Sequence, residues 1–417
     1  INTDFIDNSA GVDCSDHEVN IKILLRGVVE SGDLTIKQRD ALLAEMTDEV
    51  AALVLRDNLL QNLALSMGEA RGQGGLDAQV RLLHKLERQG RLNRDLELLP
   101  SDAEIEIRRK AGRGLTRPES AVLLAYAKMT LYEDILATDL PDRTYLARDI
   151  KRYFPVPLRE RFQAEIEKHP LRREIVSTWL ANAMVNRGLE TFVSEVEDAT
   201  GANLADITRA YVISRDSFAL VPIWMAIEAV PPTVAAEAQI RLLLEVRDVL
   251  IRGARWFLSE RSGPMKINEA VARFKPVVAA VLQTLPKLVT ATHAAAIQTV
   301  AEGYRALDIG DELAATMSRL PFVMAACDIA DVLEASGAEG TPDPARIEAT
   351  ARSYFSLDDA LNLPWLRGCI ERIPRTGRWS RLALTGLEDE LGAALRRLTI
   401  TALADDVPGD METWLAQ

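Results

Sequence analysis

The residues best equipped for chemistry lie together near the start of the sequence. The segment "INTDFIDNSAGVDCSDHEVNIKILL" places an amide at Asn8, a thiol at Cys14, a hydroxyl at Ser15 and an imidazole at His17. The Asn8 side chain offers a hydrogen-bond donor and an acceptor, the pair that holds a carboxamide. Gly11 permits a tight turn because glycine tolerates a positive φ. A helix that begins at Ser15 would present free N–H groups, which favour a carboxylate. The segment therefore predicts a ligand-facing turn.

Each of these residues also has a simpler structural interpretation. Ser15 and Glu18 have the spacing of a capping box ahead of an amphipathic run, so Ser15 is expected to cap a helix. This role does not exclude contact with a ligand. Cys14 is expected to be a small packed thiol, because nothing nearby in the sequence makes it a nucleophile. His17 is expected on the surface of the first helical turn. The segment Asn8–Gly11 is expected to be a plain strand-to-helix turn.

A second polar segment, "RRKAGRGLTR", concentrates arginines between residues 108 and 117. It is typical either of an anion-binding patch or of a helix C-terminus that completes its dipole, and the second interpretation is favoured. The cysteines and histidines are far apart and show no metal-ligand spacing, so neither a disulfide framework nor a metal site is predicted. They are Cys14, Cys327 and Cys369, and His17, His84, His169 and His293.

Helical periodicity dominates the elements that must position these residues, and the predicted fold class is all-α. "TDFI" is the only early candidate for a strand. A helix from Ser15 is predicted to bury one stripe of aliphatic residues. Thr116 and Glu119 form a second capping box, and Gly90 is a predicted helix C-cap. Further helices are predicted over Lys37–Glu45, from Thr47 onward, and over Leu76–Gln89. The tryptophans, including Trp179, Trp256, Trp365 and Trp379, are expected in the core.

The charge balance excludes some partners. The 417 residues carry a net charge of −13, which disfavours nucleic acid and anionic membrane surfaces. No apolar stretch reaches the roughly 18 residues of a membrane-spanning helix, and no signal peptide precedes the first helix. We therefore expect a cytoplasmic protein without nucleic-acid or membrane partners. The start at Ile1 suggests either the final part of a longer polypeptide or an artificially trimmed one.

Three blocks of sequence resemble the C-terminal part of the large bacterial NAD-dependent glutamate dehydrogenases. They are "NTDFIDNSAGVDCSDHEVNIKILL", "GRGLTRPESAVLLAYAK" and "HPLRREIVSTWLANAMVNRGLETF", in the expected order. The resemblance implies an all-α region preceded by a short strand and turn from a Rossmann-type nucleotide-binding domain. It implies a domain tail at 1–17. The prolines that cluster between residues 140 and 157 mark a subdomain border, which gives helical subdomains at 18–150 and 151–417.

The same resemblance implies roles for three residues. Asn8 and Gly11 take positions near the nicotinamide of NAD, and Ser15 takes the position that contacts the α-carboxylate of L-glutamate, the precursor of 2-oxoglutarate. Ser9-Ala10 replaces the family's Ala-Gly, so the backbone approaches the cofactor less closely. No catalytic residue is assigned, because the family's lysine and glycine-rich cofactor turn belong to an upstream domain. The chain alone is expected to be inactive, and the complete enzyme to be a homo-oligomer. The alternative is a helical interaction or assembly domain without a ligand.

Overall fold

The chain is an all-α protein in the part that its computed structural model describes, residues 2–259, 265–337, 342–374 and 377–405. The expected fold class is confirmed, and these residues contain no strand. The expected strand "TDFI" is instead the short helix α1, Asp4–Asp7. Its backbone turns because the N–H groups of Ile6 and Asp7 both donate to the carbonyl of Thr3.

The first half of the chain contains twelve α-helices, α1–α12, within its described residues. After α1 they are α2 Ser9–Glu30, α3 Ile36–Glu45, α4 Thr47–Arg71, α5 Gln73–Arg88, α6 Asp102–Lys110, α7 Arg117–Leu136, α8 Thr144–Ala147, α9 Val156–Arg161, α10 Gln163–Glu167, α11 Arg172–Gly188 and α12 Phe192–Thr200. Short 3₁₀ segments cover Leu140–Asp142 and Arg148–Tyr153.

The second half continues with helices and one 3₁₀ turn, Leu320–Phe322. The helices are α13 Leu204–Ser217, α14 Leu220–Glu228, α15 Ala236–Ser259, α16 Ile267–Leu288, α17 Ala291–Arg305, α18 Asp311–Arg319, α19 Val323–Ala335, α20 Pro344–Ala360, α21 Leu363–Glu371 and α22 Gly377–Ala404.

The chain divides into two compact units. Unit 1 comprises Ile1–Asp198 with Ala202–Ala205, and unit 2 comprises Ala199–Gly201 with Asp206–Gln417. The proline-rich segment near residue 150, which the sequence analysis marked as a subdomain border, lies inside unit 1. Its prolines divide the helices into short pieces, and the 3₁₀ segment Arg148–Tyr153 packs against α11 rather than separating two cores.

The core of unit 1 is built where α4 packs against α2, α7 and α11, and α7 packs along α11. The aliphatic stripe predicted for α2 is confirmed: its members, Ile21, Leu24, Leu25 and Val28, are all buried. The predicted helix ends are confirmed at two places. The backbone N–H of Thr116 donates to Glu119 Oε2 at 2.7 Å, and Gly90 ends α5 with a φ of 68°. Local sequence signals therefore determine the boundaries of these helices.

The core of unit 2 is rich in aromatic contacts. Trp256 and Phe257 on α15 both meet Phe274 of α16 edge to face, with ring centroids 5.5 Å and 5.0 Å apart. The expected core position is confirmed for Trp256, but Trp365 and Trp379 are 61% and 79% exposed, so that expectation was wrong for them. Trp365 lies on α21 and Trp379 on α22. Apolar residues recur at helical spacing in both helices, but this spacing does not by itself bury these two side chains.

One segment of unit 2, Asp311–Ala335, is apolar enough by composition to match a membrane span. It comprises α18, the 3₁₀ turn and α19, and 56% of its most apolar window is buried inside the structure. Core helices of globular proteins pass the same test of composition.

Candidate functional site

The first long helix starts earlier than the sequence predicted. α2 begins at Ser9, so the expected turn at 8–11 and the capping box of Ser15 with Glu18 are both wrong. The Ser15 hydroxyl instead donates to the carbonyls of Val12 and Gly11, at 2.9 Å and 3.3 Å. Glu18 pairs with Lys22 one turn further along the helix.

A side chain from α4 explains the earlier start. Asn58 Nδ2 donates to the backbone carbonyl of Ile6 at 2.8 Å and to Ser9 Oγ at 2.9 Å. These two hydrogen bonds hold the end of α1 and the start of α2 in place. The small residues that follow Ser9 continue the helix without a break. A contact 49 residues away in the sequence therefore overrides the local capping signal.

The three predicted ligand-binding residues share one exposed face. Asn8, Gly11 and Ser15 follow the spacing i, i+3, i+7 at the start of α2, and all three are exposed. A Cβ placed on Gly11 would meet nothing within 4 Å, so a ligand can approach the backbone here. Cys14 lies next to this face and is exposed too, contrary to the expected packed thiol.

The opposite face of α2 carries a cluster that the sequence analysis did not find. Asp13, His17 and, from α4, Asp57 bring one ligand atom each to within 4.8 Å of one another. His17 is only 2% exposed, so the expected surface position was wrong. Its Nδ1 atom is buried and has no hydrogen-bond partner among the described residues. We call Asp13, His17 and Asp57 the aspartate–histidine cluster.

Lys128 of α7 adds a positive charge beside this cluster. Burial lowers the pKa of the Lys128 ammonium to about 7, although Asp57 and Asp13 oppose the change. Burial, together with Asp57 and Asp16, raises the pKa of Asp13 to about 7. Burial also raises the pKa of Asp57, against the attraction of Lys128. These opposite shifts show that the interior tolerates neither the carboxylates nor the ammonium well in their charged forms.

Tyr153 covers one side of the aspartate–histidine cluster. Its ring stacks on His17 with centroids 4.4 Å apart, and its hydroxyl donates to Asp16 Oδ2 at 2.6 Å. The same hydroxyl accepts from Asn20 Nδ2 at 2.8 Å. Burial and the Asp16 carboxylate raise the pKa of Tyr153 far above its ordinary value, so its hydroxyl stays protonated.

His169 fixes the next turn of α2. Its Nε2 lies 3.0 Å from the backbone carbonyl of Asn20, and its Nδ1 accepts from the Leu171 N–H at 3.1 Å. A carbonyl can only accept, so these partners select the neutral tautomer with the proton on Nε2. Burial lowers the pKa of His169, opposed by the Asn20 carbonyl and Glu174.

The basic segment between residues 108 and 117 is engaged within the protein. Arg108 Nη2 donates to Glu119 at 2.8 Å, Arg109 Nη2 to Asp77 at 3.0 Å, and Arg117 Nη1 to Ser66 at 3.0 Å. The favoured interpretation of this segment as a structural helix end is confirmed.

Two family models match the chain. Residues 112–417 match the family described as "Glutamate dehydrogenase, C-terminal". Residues 1–68 match "Bacterial NAD-glutamate dehydrogenase, catalytic domain". The second match includes α2 and most of α4, and with them the exposed Asn8–Ser15 face and the whole aspartate–histidine cluster.

Curated relatives agree with these models. A protein of Pseudomonas aeruginosa named NAD-specific glutamate dehydrogenase is 40% identical over 100% of this chain, which covers 26% of that protein. Proteins of the same name from Halomonas elongata and Mycobacterium tuberculosis are each 37% identical, over 100% and 98% of the chain. The chain spans about a quarter of the length of these relatives.

Proposed function

We propose that this chain, which belongs to the glutamate dehydrogenase family, forms the end of the catalytic domain and the helical C-terminal region of an NAD-dependent glutamate dehydrogenase. The complete enzyme would convert L-glutamate, NAD⁺ and water to 2-oxoglutarate, ammonium, NADH and a proton. Residues 1–17 would end the nucleotide-binding domain, and the helical bulk would follow.

One observation carries this proposal. Asn8, Gly11 and Ser15 lie on a single exposed face of the segment that matches the family's catalytic domain. A surface that is to line a substrate cleft must be open, and its polar groups must be able to change partners. The Ser15 hydroxyl meets this condition, because its present acceptors are carbonyls of its own helix.

The exposed face fits an NAD ring and a substrate carboxylate. The Asn8 amide would hold the carboxamide of the nicotinamide, and Gly11 would allow close approach of the ring. Ser15 would exchange the Val12 carbonyl for the carboxylate of L-glutamate. Bound NAD supplies the hydride acceptor, and the residues of this face orient the two ligands.

Single substitutions in the complete enzyme test these roles. Ser15→Ala is expected to raise the KM for glutamate, and Asn8→Ala to weaken NAD⁺ binding, each by roughly 10- to 150-fold. Cys14→Ala is the matched control: it changes an exposed neighbour on α2 to which no ligand contact is assigned, and steady-state kinetics should stay near wild type.

The alternative is a helical assembly domain, in which Asn8 and Ser15 are structural remnants. Wild-type kinetics of both alanine variants would favour this alternative. It draws support from the exposed Trp365 and Trp379 of unit 2, which offer apolar contact area.

The same side chains support the proposal that the enzyme is a homo-oligomer. Light scattering over a dilution series would measure its oligomeric state.

We also propose a cytoplasmic location. Cys14 and Cys369 are free thiols, which suits a reducing compartment. Fractionation of cells that express the complete protein would test this, and recovery from a secreted or membrane fraction would contradict it.

A further inference from the structure

The aspartate–histidine cluster has the donor set of a metal site. Asp13 and His17 are four residues apart on α2 and project from the same side of it, and Asp57 faces them from α4. The three ligand atoms lie within 4.8 Å of one another. Metal–ligand bonds of about 2.0–2.2 Å place two ligands of one ion at most about 4.4 Å apart, so small side-chain rotations would close the site.

The hydrogen bonding of these groups also indicates a missing ligand. His17 is 2% exposed and leaves Nδ1 buried without a partner among the described residues. A buried imidazole nitrogen without a hydrogen bond is costly, and native proteins rarely leave one unsatisfied. Within the same described part of the chain, the half-buried carboxylates of Asp13 and Asp57 make no hydrogen bond or close ion pair. The cluster therefore combines an unsatisfied buried nitrogen on His17 with two carboxylates that lack a direct partner in this part of the chain.

The local charge favours a cation. Asp13, Asp16 and Asp57 bring three carboxylates to this region, while Lys128 is the positive group that acts on both Asp13 and Asp57. Lys128 thus balances part of the negative charge and also competes with any other cation. The Tyr153 ring, stacked on His17, holds the imidazole plane in place.

We propose that Asp13, His17 and Asp57 bind one divalent transition-metal ion between α2 and α4. Two carboxylates and one imidazole suit Mn²⁺, Fe²⁺, Co²⁺ or Zn²⁺, and three protein ligands leave positions open for water. The ion would brace the buried side of α2, directly behind the face that carries Ser15. The proposal does not depend on the proposed dehydrogenase function, since it concerns only contacts within unit 1.

Co²⁺ is the probe of choice because its visible absorption reports on its ligands. The 417-residue chain, purified without a histidine tag and stripped with a chelator, is titrated with Co²⁺, and bound metal is counted after dialysis. One equivalent is expected. Asp57→Asn and His17→Gln should each weaken binding by at least about tenfold, whereas Glu18→Gln, an exposed acid on another side of α2, should not change it.

Lys128→Met provides the second test, because it removes the competing cation without removing a ligand. It should tighten Co²⁺ binding by about tenfold or more. Zn²⁺ should displace the Co²⁺ signal in both the wild type and this variant. Circular dichroism verifies folding, and if Asp57→Asn fails to fold, His17→Gln and Lys128→Met decide the question.

Two results would overturn the proposal. One is the absence of saturable Co²⁺ binding up to about 1 mM in both the wild type and Lys128→Met. The other is equal Co²⁺ affinity in the wild type, His17→Gln and any folded Asp57→Asn protein. Either result would make the cluster a closed internal group of charges, balanced by Lys128 and Arg56.

Discussion

Individual residues on α2 divide according to the side of the helix from which they project. Ser15 is exposed, whereas Asp13 and His17, two positions before and after it, face inward because two residues rotate a helix by about 200°. Asp13 and Asp16 would repel a substrate carboxylate. Asp13 projects away from the Ser15 face, and Asp16 accepts a hydrogen bond from the Tyr153 hydroxyl. One helix can thus carry two polar groups with unrelated chemistry.

His169 makes unit 1 sensitive to acid. Its folded pKa is lowered, so the unfolded chain binds a proton near the ordinary value of 6.5 while the folded chain does not. The stabilising contribution is complete above pH 6.5 and is lost as the pH falls below it, by up to about 1.4 kcal/mol per pH unit. Urea unfolding of the wild type and His169→Gln at pH 7.5 and 5.5 measures this.

The His169→Gln variant should be less stable at pH 7.5, because it loses the bond from the Leu171 N–H, yet lose less stability on acidification. Equal pH dependence in the two proteins would contradict the neutral assignment of His169.

The burial of His17 could have been predicted from the sequence, but the role of Lys128 could not. Extending the aliphatic stripe of α2 backwards from Leu24 and Ile21 in steps of three and four residues reaches His17 and then Asp13. Lys128 and Asp57 join them only through the packing of α7 and α4, and no local spacing indicates which faces of distant helices meet.

At the scale of elements, one carboxylate links four helices of unit 2. Asp328 on α19 accepts from Trp256 Nε1 on α15 at 3.1 Å and from the Tyr354 hydroxyl on α20 at 2.8 Å. It also accepts from Arg396 on α22. Asp328 and Arg396 are both buried, and burial raises the pKa of Asp328 despite these partners.

Asp328→Asn should therefore destabilise unit 2 by about 3–5 kcal/mol, because it removes the buried carboxylate that pairs with the Arg396 guanidinium. Adding Arg396→Met removes that charge and should restore part of the loss. Chemical denaturation of both variants and of the double variant measures the coupling. Asp331→Asn is the control. Asp331 lies on α19 like Asp328 and pairs with Arg273 of α16, but it is more exposed, so this substitution should cost about 1 kcal/mol or less. A double variant no more stable than Asp328→Asn would contradict the argument.

Capping boxes illustrate how far local signals decide the elements. Thr116 and Glu119 behave as predicted, because the Thr116 N–H reaches the Glu119 carboxylate and Arg108 holds that carboxylate in place. Ser15 and Glu18 show the same pattern and fail, because Asn58 has already started the helix six residues earlier. A capping pattern predicts a helix start only where no tertiary contact supplies an earlier one.

At the scale of the whole molecule, each unit has its own buried core. Leu123 lies fully buried in unit 1, where α7 meets its neighbours. In unit 2, α15 approaches α13 so closely at Gly253 that a Cβ would lie 2.3 Å from a ring carbon of Phe218 and 2.9 Å from Ser214 Oγ. These two positions allow each core to be perturbed by itself.

Leu123→Ala should destabilise unit 1 by about 2–5 kcal/mol through the cavity it leaves. Gly253→Ala should destabilise unit 2 by about 1–3 kcal/mol through overpacking. If each core is a cooperative unit, calorimetry of the whole chain will resolve two transitions, and each substitution will lower the temperature of only one. Hydrogen exchange would identify which amides lose protection with each transition. A single transition that both substitutions shift equally would mean that the two cores unfold as one, and the division at residues 198–206 would then describe geometry but not stability.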